Sequence, residues 1–191
     1  AYKELWGNPA YRNLLRLVTP AHYKGLIAWE SEFDPECREE CGYRVNRCLG
    51  GKKAWKQGVG LLSMVPRNAR DKDGANLIVT KRVDERLDAD KAIRGGLRSL
   101  RLIERKIVEI YVKEQAAPND ETLRKLIMLT HNIGYTDMRK ALLRAPGELK
   151  KPLSGVTLDD MMAPRNGGKS LLQEIVDKPG QEEKFDREAK K

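Results

Sequence analysis

An all-α protein is what this sequence predicts, on three observations. Asparagine, threonine or aspartate stands directly before proline at Asn8-Pro9, Thr19-Pro20 and Asp34-Pro35. Ile93, Leu97, Leu100, Ile103, Ile107 and Ile110 recur every three or four residues, the spacing of one helical face. Leu123, Leu126, Ile127 and Thr130 repeat that spacing, and Gly134 then separates them from Met138, Ala141 and Leu142, the pattern of a helical hairpin. The expected architecture is a small, repeat-like array of short helix-turn-helix pairs.

The elements follow in chain order. A capping side chain before a proline at the first helical turn starts a helix at no cost in hydrogen bonds, because the first N–H groups have no partner in the helix anyway. This predicts helices over 9–18, 20–32 and 35–48, the last ended by Gly50-Gly51. In the third helix Cys37, Cys41, Val45 and Cys48 fall on one stripe, which suits a core. A fourth helix over 52–65 would carry Trp55, Val59 and Leu62 on one side, weakened by Gly58 and Gly60. A loop over 66–76 breaks the pattern, and Asn76 to Thr80 is a short apolar run that fits helix or strand. The central helix runs from Asp88, with Gly95-Gly96 delaying its start to Leu97 and Ala116-Ala117-Pro118 ending it. Asp120 is the expected cap of the next helix. Residues 1–150 thus form a helical domain, and the Gly/Pro-punctuated 151–191 a repeat-like, partly extended arm ending in the charged run Gln181 to Lys191.

Composition narrows the function classes. The chain has 191 residues, 40% hydrophobic and 34% charged, enough for one domain with or without a tail. It holds no apolar run near the roughly 20 residues that a membrane span needs. Three cysteines and two histidines cannot fill two four-ligand zinc sites, and an odd cysteine count argues against a disulfide framework, so a reducing compartment is expected. The chain begins at Ala1, which is compatible with a precursor trimmed by a processing protease or with a piece of a longer chain.

The net charge of +9 is local. Residues 51–110 carry 15 basic and 8 acidic side chains, whereas residues 1–50 carry 7 of each and residues 151–191 carry 8 of each. Its densest parts are Lys52, Lys53 and Lys56 around Trp55, then Arg67, Arg70 and Lys72, then Lys81-Arg82. These nine residues are the candidate partner-binding set, since such clusters attract phosphates or an acidic protein surface alike.

Chemistry is expected to be absent. Ala163 to Ser170 comes near a phosphate-binding loop, with Lys169 and Ser170 in the phosphate and magnesium positions. Its first glycine is replaced by Ala163, however, and no buried strand precedes it. Cys37, Cys41 and Cys48 lack a fourth ligand nearby, His22 and His131 being distant. His131, near Asn132 and Asp137, has no nucleophile at a useful spacing. Asp84, Glu85, Asp88 and Asp90 read as charges that complement helix starts. No catalytic residue, metal ligand or cofactor is assigned.

Glu121 to Ile127 aligns with Val156 to Met162 at a shift of 35 residues, keeping Thr122 and Thr157, Leu123 and Leu158, and two further apolar positions in register. A fixed period of that length suggests stacked helical hairpins. Both copies resemble the pentatricopeptide-repeat family, whose first helix opens with a Thr and carries a paired Leu-Ile-like step, and Gly134 lies where that family turns into its second helix. His22 to Ile27 is a third, weaker copy. In family members that read RNA, a polar side chain on the first helix selects one base per repeat. Lys125, Asp160 and Gly25 stand where Asn, Thr or Ser would be expected, so the resemblance implies a scaffold for a protein, or for RNA through its phosphates, rather than a base reader. A short repeat-like chain of this size is also similar to the accessory subunits on the catalytic head of euglenozoan mitochondrial ATP synthase. That similarity implies a non-catalytic subunit in the mitochondrial matrix, docked on subunits of the ATP synthase head. A mitoribosomal or other role on ribosomal RNA is the alternative.

Overall fold

A computed structural model describes residues 8–31, 58, 60–62, 64–80, 82–165 and 168–176. The fold is all-α. In order come a 3-10 turn at Pro9–Tyr11, α1 (Arg12–Leu17), α2 (Pro20–Ser31), α3 (Pro66–Ala69), a 3-10 turn at Glu85–Leu87, α4 (Ala89–Lys113), α5 (Asp120–Ile133), α6 (Tyr135–Leu149), a 3-10 turn at Leu153–Gly155, α7 (Leu158–Met162) and α8 (Leu171–Val176). Among the described residues the only strand-like feature is one isolated antiparallel bridge, Val79 to Asp84. No helix there is long and apolar enough to cross a membrane. The expected helix over 35–48 and its three cysteines lie outside the described residues.

The chain forms two compact units, Ala1–Glu104 and Arg105–Lys191, and α4 supplies residues to both. The boundary expected at residue 150 therefore falls inside the second unit. In the first unit, Asn8 caps the opening turn through its side chain and Pro9 takes the first helical position, as the Asn-Pro pair predicts. Leu14, Leu15, Leu17, Tyr23, Leu26 and Ile27 are buried with Leu97 and Leu100 of α4. Each such Leu or Ile contributes about 1.5–3 kcal/mol by leaving water. Polar contacts set the register: the Tyr23 hydroxyl donates to the Ile93 carbonyl at 2.9 Å, Arg101 Nε donates to the Ala10 carbonyl at 2.5 Å, and buried Glu104 accepts from Asn13 and Arg101.

Three sequence expectations need correction here. The helix over 52–65 does not extend through its described part, because Gly60 sits at φ +76° within a turn and the next helix starts only at Pro66, with Val65 as its extended N-cap. Gly95-Gly96 does not delay α4, which starts at Ala89; both glycines are buried within it. A Cβ on Gly96 would overlap a methyl of Leu62 and the Tyr23 hydroxyl, so the residue is there for close approach rather than to break the helix. The cap of α5 is Asn119, whose side chain accepts the Thr122 N–H at 2.8 Å, and Asp120 occupies the first turn, where its charge suits the helix dipole.

In the second unit Leu123, Leu126 and Ile127 of α5 and Met138, Ala141, Leu142 and Ala145 of α6 are all buried. Gly134 caps α5 and opens α6. The described residues of 153–176 are not an extended arm, and the charged run Gln181 to Lys191 lies outside the described residues. Leu153, Val156, Met161, Leu171, Leu172 and Ile175 are buried, with α7 packed on α5, α8 on α6, and α7 on α8. The apolar positions of 151–176 were too sparse for a helical period, and only packing on the preceding hairpin gives them a core.

Candidate interaction surface

Four of the nine predicted binding residues are described: Arg67, Arg70, Lys72 and Arg82, all exposed and all in the first unit. Lys52, Lys53, Trp55, Lys56 and Lys81 lie outside the described residues. The loop expected over 66–76 begins later than predicted: Arg67 lies within α3 and Arg70 is its C-cap, and only Lys72 stands in the loop that follows, which its own backbone holds. The Asp71 carbonyl accepts the Gly74 and Asn76 N–H groups at 3.1 and 2.8 Å, the Asp71 carboxylate accepts the Asp73 N–H at 3.1 Å, and the Ala69 carbonyl accepts the Leu77 N–H at 2.7 Å. That last bond ties the loop to the start of a short hairpin, Ile78 to Glu85, with Arg82 at its tip. Thr80 N–H donates to the Val83 carbonyl at 2.7 Å and Glu85 N–H to the Ile78 carbonyl at 2.9 Å. The Thr80 hydroxyl oxygen accepts the Arg82 and Val83 N–H groups at 3.2 and 2.9 Å, closing the tip.

The foot of this hairpin holds a group that the spacing of charges did not reveal. Arg86 is 0% exposed. Its Nε and Nη2 donate to the two Asp84 carboxylate oxygens at 2.8 and 2.6 Å, and its Nη1 donates to the Met64 carbonyl at 2.8 Å. Two charges at positions i and i+2 look like solvent-facing residues in sequence, and only burial turns them into a clamp. The acidic residues around it otherwise serve as expected. Asp84 accepts the Arg86 N–H, Asp88 accepts the Lys91 N–H at the start of α4, and Asp90 pairs with Arg94 at 2.7 Å. The Ile78 N–H and then Lys91 hold the Glu85 carboxyl below the usual carboxylate range.

In the second unit Lys125 and Asp160, the positions to which the family resemblance would assign base reading, are engaged within the chain. Lys125 Nζ lies 3.0 Å from Glu121 and 3.6 Å from Asp159. Asp160 accepts from Lys151 at 2.6 Å and from the Thr157 N–H and hydroxyl, each at 2.9 Å, and the Thr157 hydroxyl oxygen accepts the Asp160 N–H, completing a capping box. Thr157 is thus an N-cap, whereas Thr122 lies inside the first turn of α5, so the shift of 35 aligns residues in different helical registers. Ser170 is buried and caps α8, its hydroxyl oxygen accepting the Gln173 N–H at 3.1 Å while the Gln173 carbonyl oxygen accepts the Ser170 N–H at 2.9 Å. The near phosphate loop is a capped helix start. Arg165 beside it pairs with Glu148 and with Glu174 at 2.5 Å, and Arg144 joins the same carboxylates.

Among the described residues no group of three or more His, Cys, Asp or Glu is placed to hold a metal ion. No family model, curated protein or solved structure matches this chain.

The Asp160 capping box makes a testable link between pH and stability. The Lys151 ammonium and the Thr157 donors lower its pKa from 3.8 to about 2. A lowered carboxylate pKa means stabilisation that is complete above the unfolded value and drains away as pH falls through the folded one. Thermal melts followed by circular dichroism should therefore show the parent losing its advantage over Asp160→Asn as pH falls from about 4 to about 2. An equal gap at both ends of that range would refute the assignment.

Proposed function

We propose that this chain is a non-catalytic accessory subunit of a large mitochondrial assembly, docked on the catalytic head of ATP synthase. The packing of the second unit carries the reading: α7 lies against both α5 and α6, and α8 against α6 and α7, so two short helices are added to a helical hairpin in a compact scaffold suited to holding a partner. Lys125 and Asp160 point the same way, since side chains already satisfied within the chain are poor readers of a base edge. The capping role of Ser170 gives that hydroxyl a structural use within the chain, which suits a non-catalytic subunit. The second reading, a mitoribosomal or other RNA-binding protein, draws on exposed Arg67, Arg70, Lys72 and Arg82, which could neutralise phosphates.

Sedimentation of the native protein from a gently lysed organelle, with and without ribonuclease, separates the two. A particle that ignores ribonuclease and carries ATPase activity is the expected result. A particle that collapses under ribonuclease replaces this reading with the RNA-bound one, and a chain that sediments alone overturns both.

A further inference from the structure

We propose that the outer face of the Ile78–Glu85 hairpin is the docking surface, and that it fits an acidic protein surface around an apolar depression. This deepens the docking reading above and rests on it.

Side chains alternate across an antiparallel pair, so the residues flanking a bridge share the face opposite to it. Val79, in the bridge, is buried at 3% exposure, while Ile78 and Val83 on the other face are 55% and 49% exposed. Two β-branched aliphatic side chains therefore stand out from a turn that Thr80 and the backbone already hold, and little ordering cost remains to be met on binding. The foot of the turn is anchored through Arg86 to Met64, and the next residue, Val65, is a third exposed aliphatic.

Charge decides the partner. The segment 65–83 carries Arg67, Arg70, Lys72, Lys81 and Arg82 against Asp71 and Asp73. The carboxylate on the hairpin's outer face, Glu85, is neutralised by Lys91 at 2.8 Å. An excess of positive charge in the segment that carries the exposed aliphatics calls for an acidic partner. That partner is protein rather than RNA, because 65–83 holds no aromatic residue on which a base could stack, while exposed aliphatic anchors gain only from an apolar pocket. The chain's own Glu30, Glu32, Asp34, Glu36, Glu39 and Glu40 form an acidic run, which makes a second copy the rival occupant.

The test places a photoreactive diazirine amino acid at position 78 or 83 of the full chain in its native particle, with exposed Val112 as control site. Crosslinks to an Asp/Glu-rich segment of another protein, at roughly tenfold or more over the control, are expected. Crosslinks to RNA, to a second copy of this chain, or at no more than the control level overturn the proposal. In parallel, Ile78→Asp with Val83→Asp should lower the particle-bound fraction about tenfold or more with helicity unchanged. An unchanged bound fraction overturns this surface but leaves the docking reading standing. A parent chain that never enters a particle overturns the docking reading itself.

Discussion

Replacing Arg86 with methionine is expected to cost roughly 3–5 kcal/mol, a large share of the 5–15 kcal/mol that holds a typical domain together. The guanidinium is fully buried, and its removal leaves the Asp84 carboxylate, whose side chain is 16% exposed, without its bidentate partner and the Met64 carbonyl without its donor. The cost comes chiefly from stranding those acceptors, since a buried ion pair returns little net energy once its desolvation is counted. The double variant Asp84→Asn with Arg86→Met should accordingly recover part of the loss. Arg82→Ala, at the exposed hairpin tip, should stay within about 0.5 kcal/mol of the parent. Urea denaturation of the four proteins checks all of this, and an Arg86→Met variant within about 1 kcal/mol of the parent would show that the clamp does not hold the first unit.

Gly60→Ala should be comparably damaging, by roughly 2–5 kcal/mol from two sources. At φ +76° an L side chain is strained, which costs about 1–2 kcal/mol. Its Cβ would also overlap the Arg86 carbonyl oxygen, so the backbone of the 85–87 turn must move and carry the clamp with it. Gly25→Ala is the informative control. Gly25 lies within α2, and nothing stands within 4 Å of where its Cβ would be, so the same chemical change there should stabilise by roughly 1 kcal/mol through helix propensity. Opposite shifts in melting temperature are expected, Gly60→Ala down and Gly25→Ala up. A rise for Gly60→Ala would mean that the helix propensity of 52–65, rather than the turn, governs this segment.

These two sites also show where reading the sequence stopped. Caps before prolines and periods of three and four are local signals, acting within one or two helical turns, and they placed the starts at Pro9 and Pro20 and indicated the existence of α4, α5 and α6, though not the first eight residues of α4. Gly60 and Gly96 look like helix weakeners by the same local rule. Their roles depend on Arg86, Leu62 and Tyr23, residues 26 to 73 positions away, which no window on the chain can see. The candidate surface divides in the same way. The cations were countable, and Arg67, Arg70, Lys72 and Arg82 are exposed. Ile78 and Val83 were unremarkable members of a mixed run until the hairpin turned Val79 inward and left them outside.

The sequence by itself determined the helical class, the helix starts at Pro9 and Pro20, the concentration of positive charge in 51–110 and the lack of any apolar run of membrane-spanning length, because each follows from short-range sterics, capping or simple counting. Tertiary structure alone decided that 153–176 folds onto α5 and α6, that α4 begins eight residues before Leu97, and that Arg86 is a buried clamp. It also decided that Lys125 and Asp160 are spent on partners within the chain. Each of these depends on which surfaces meet, and burial changes the worth of a glycine, a charge or a sparse apolar residue by more than its local propensity does.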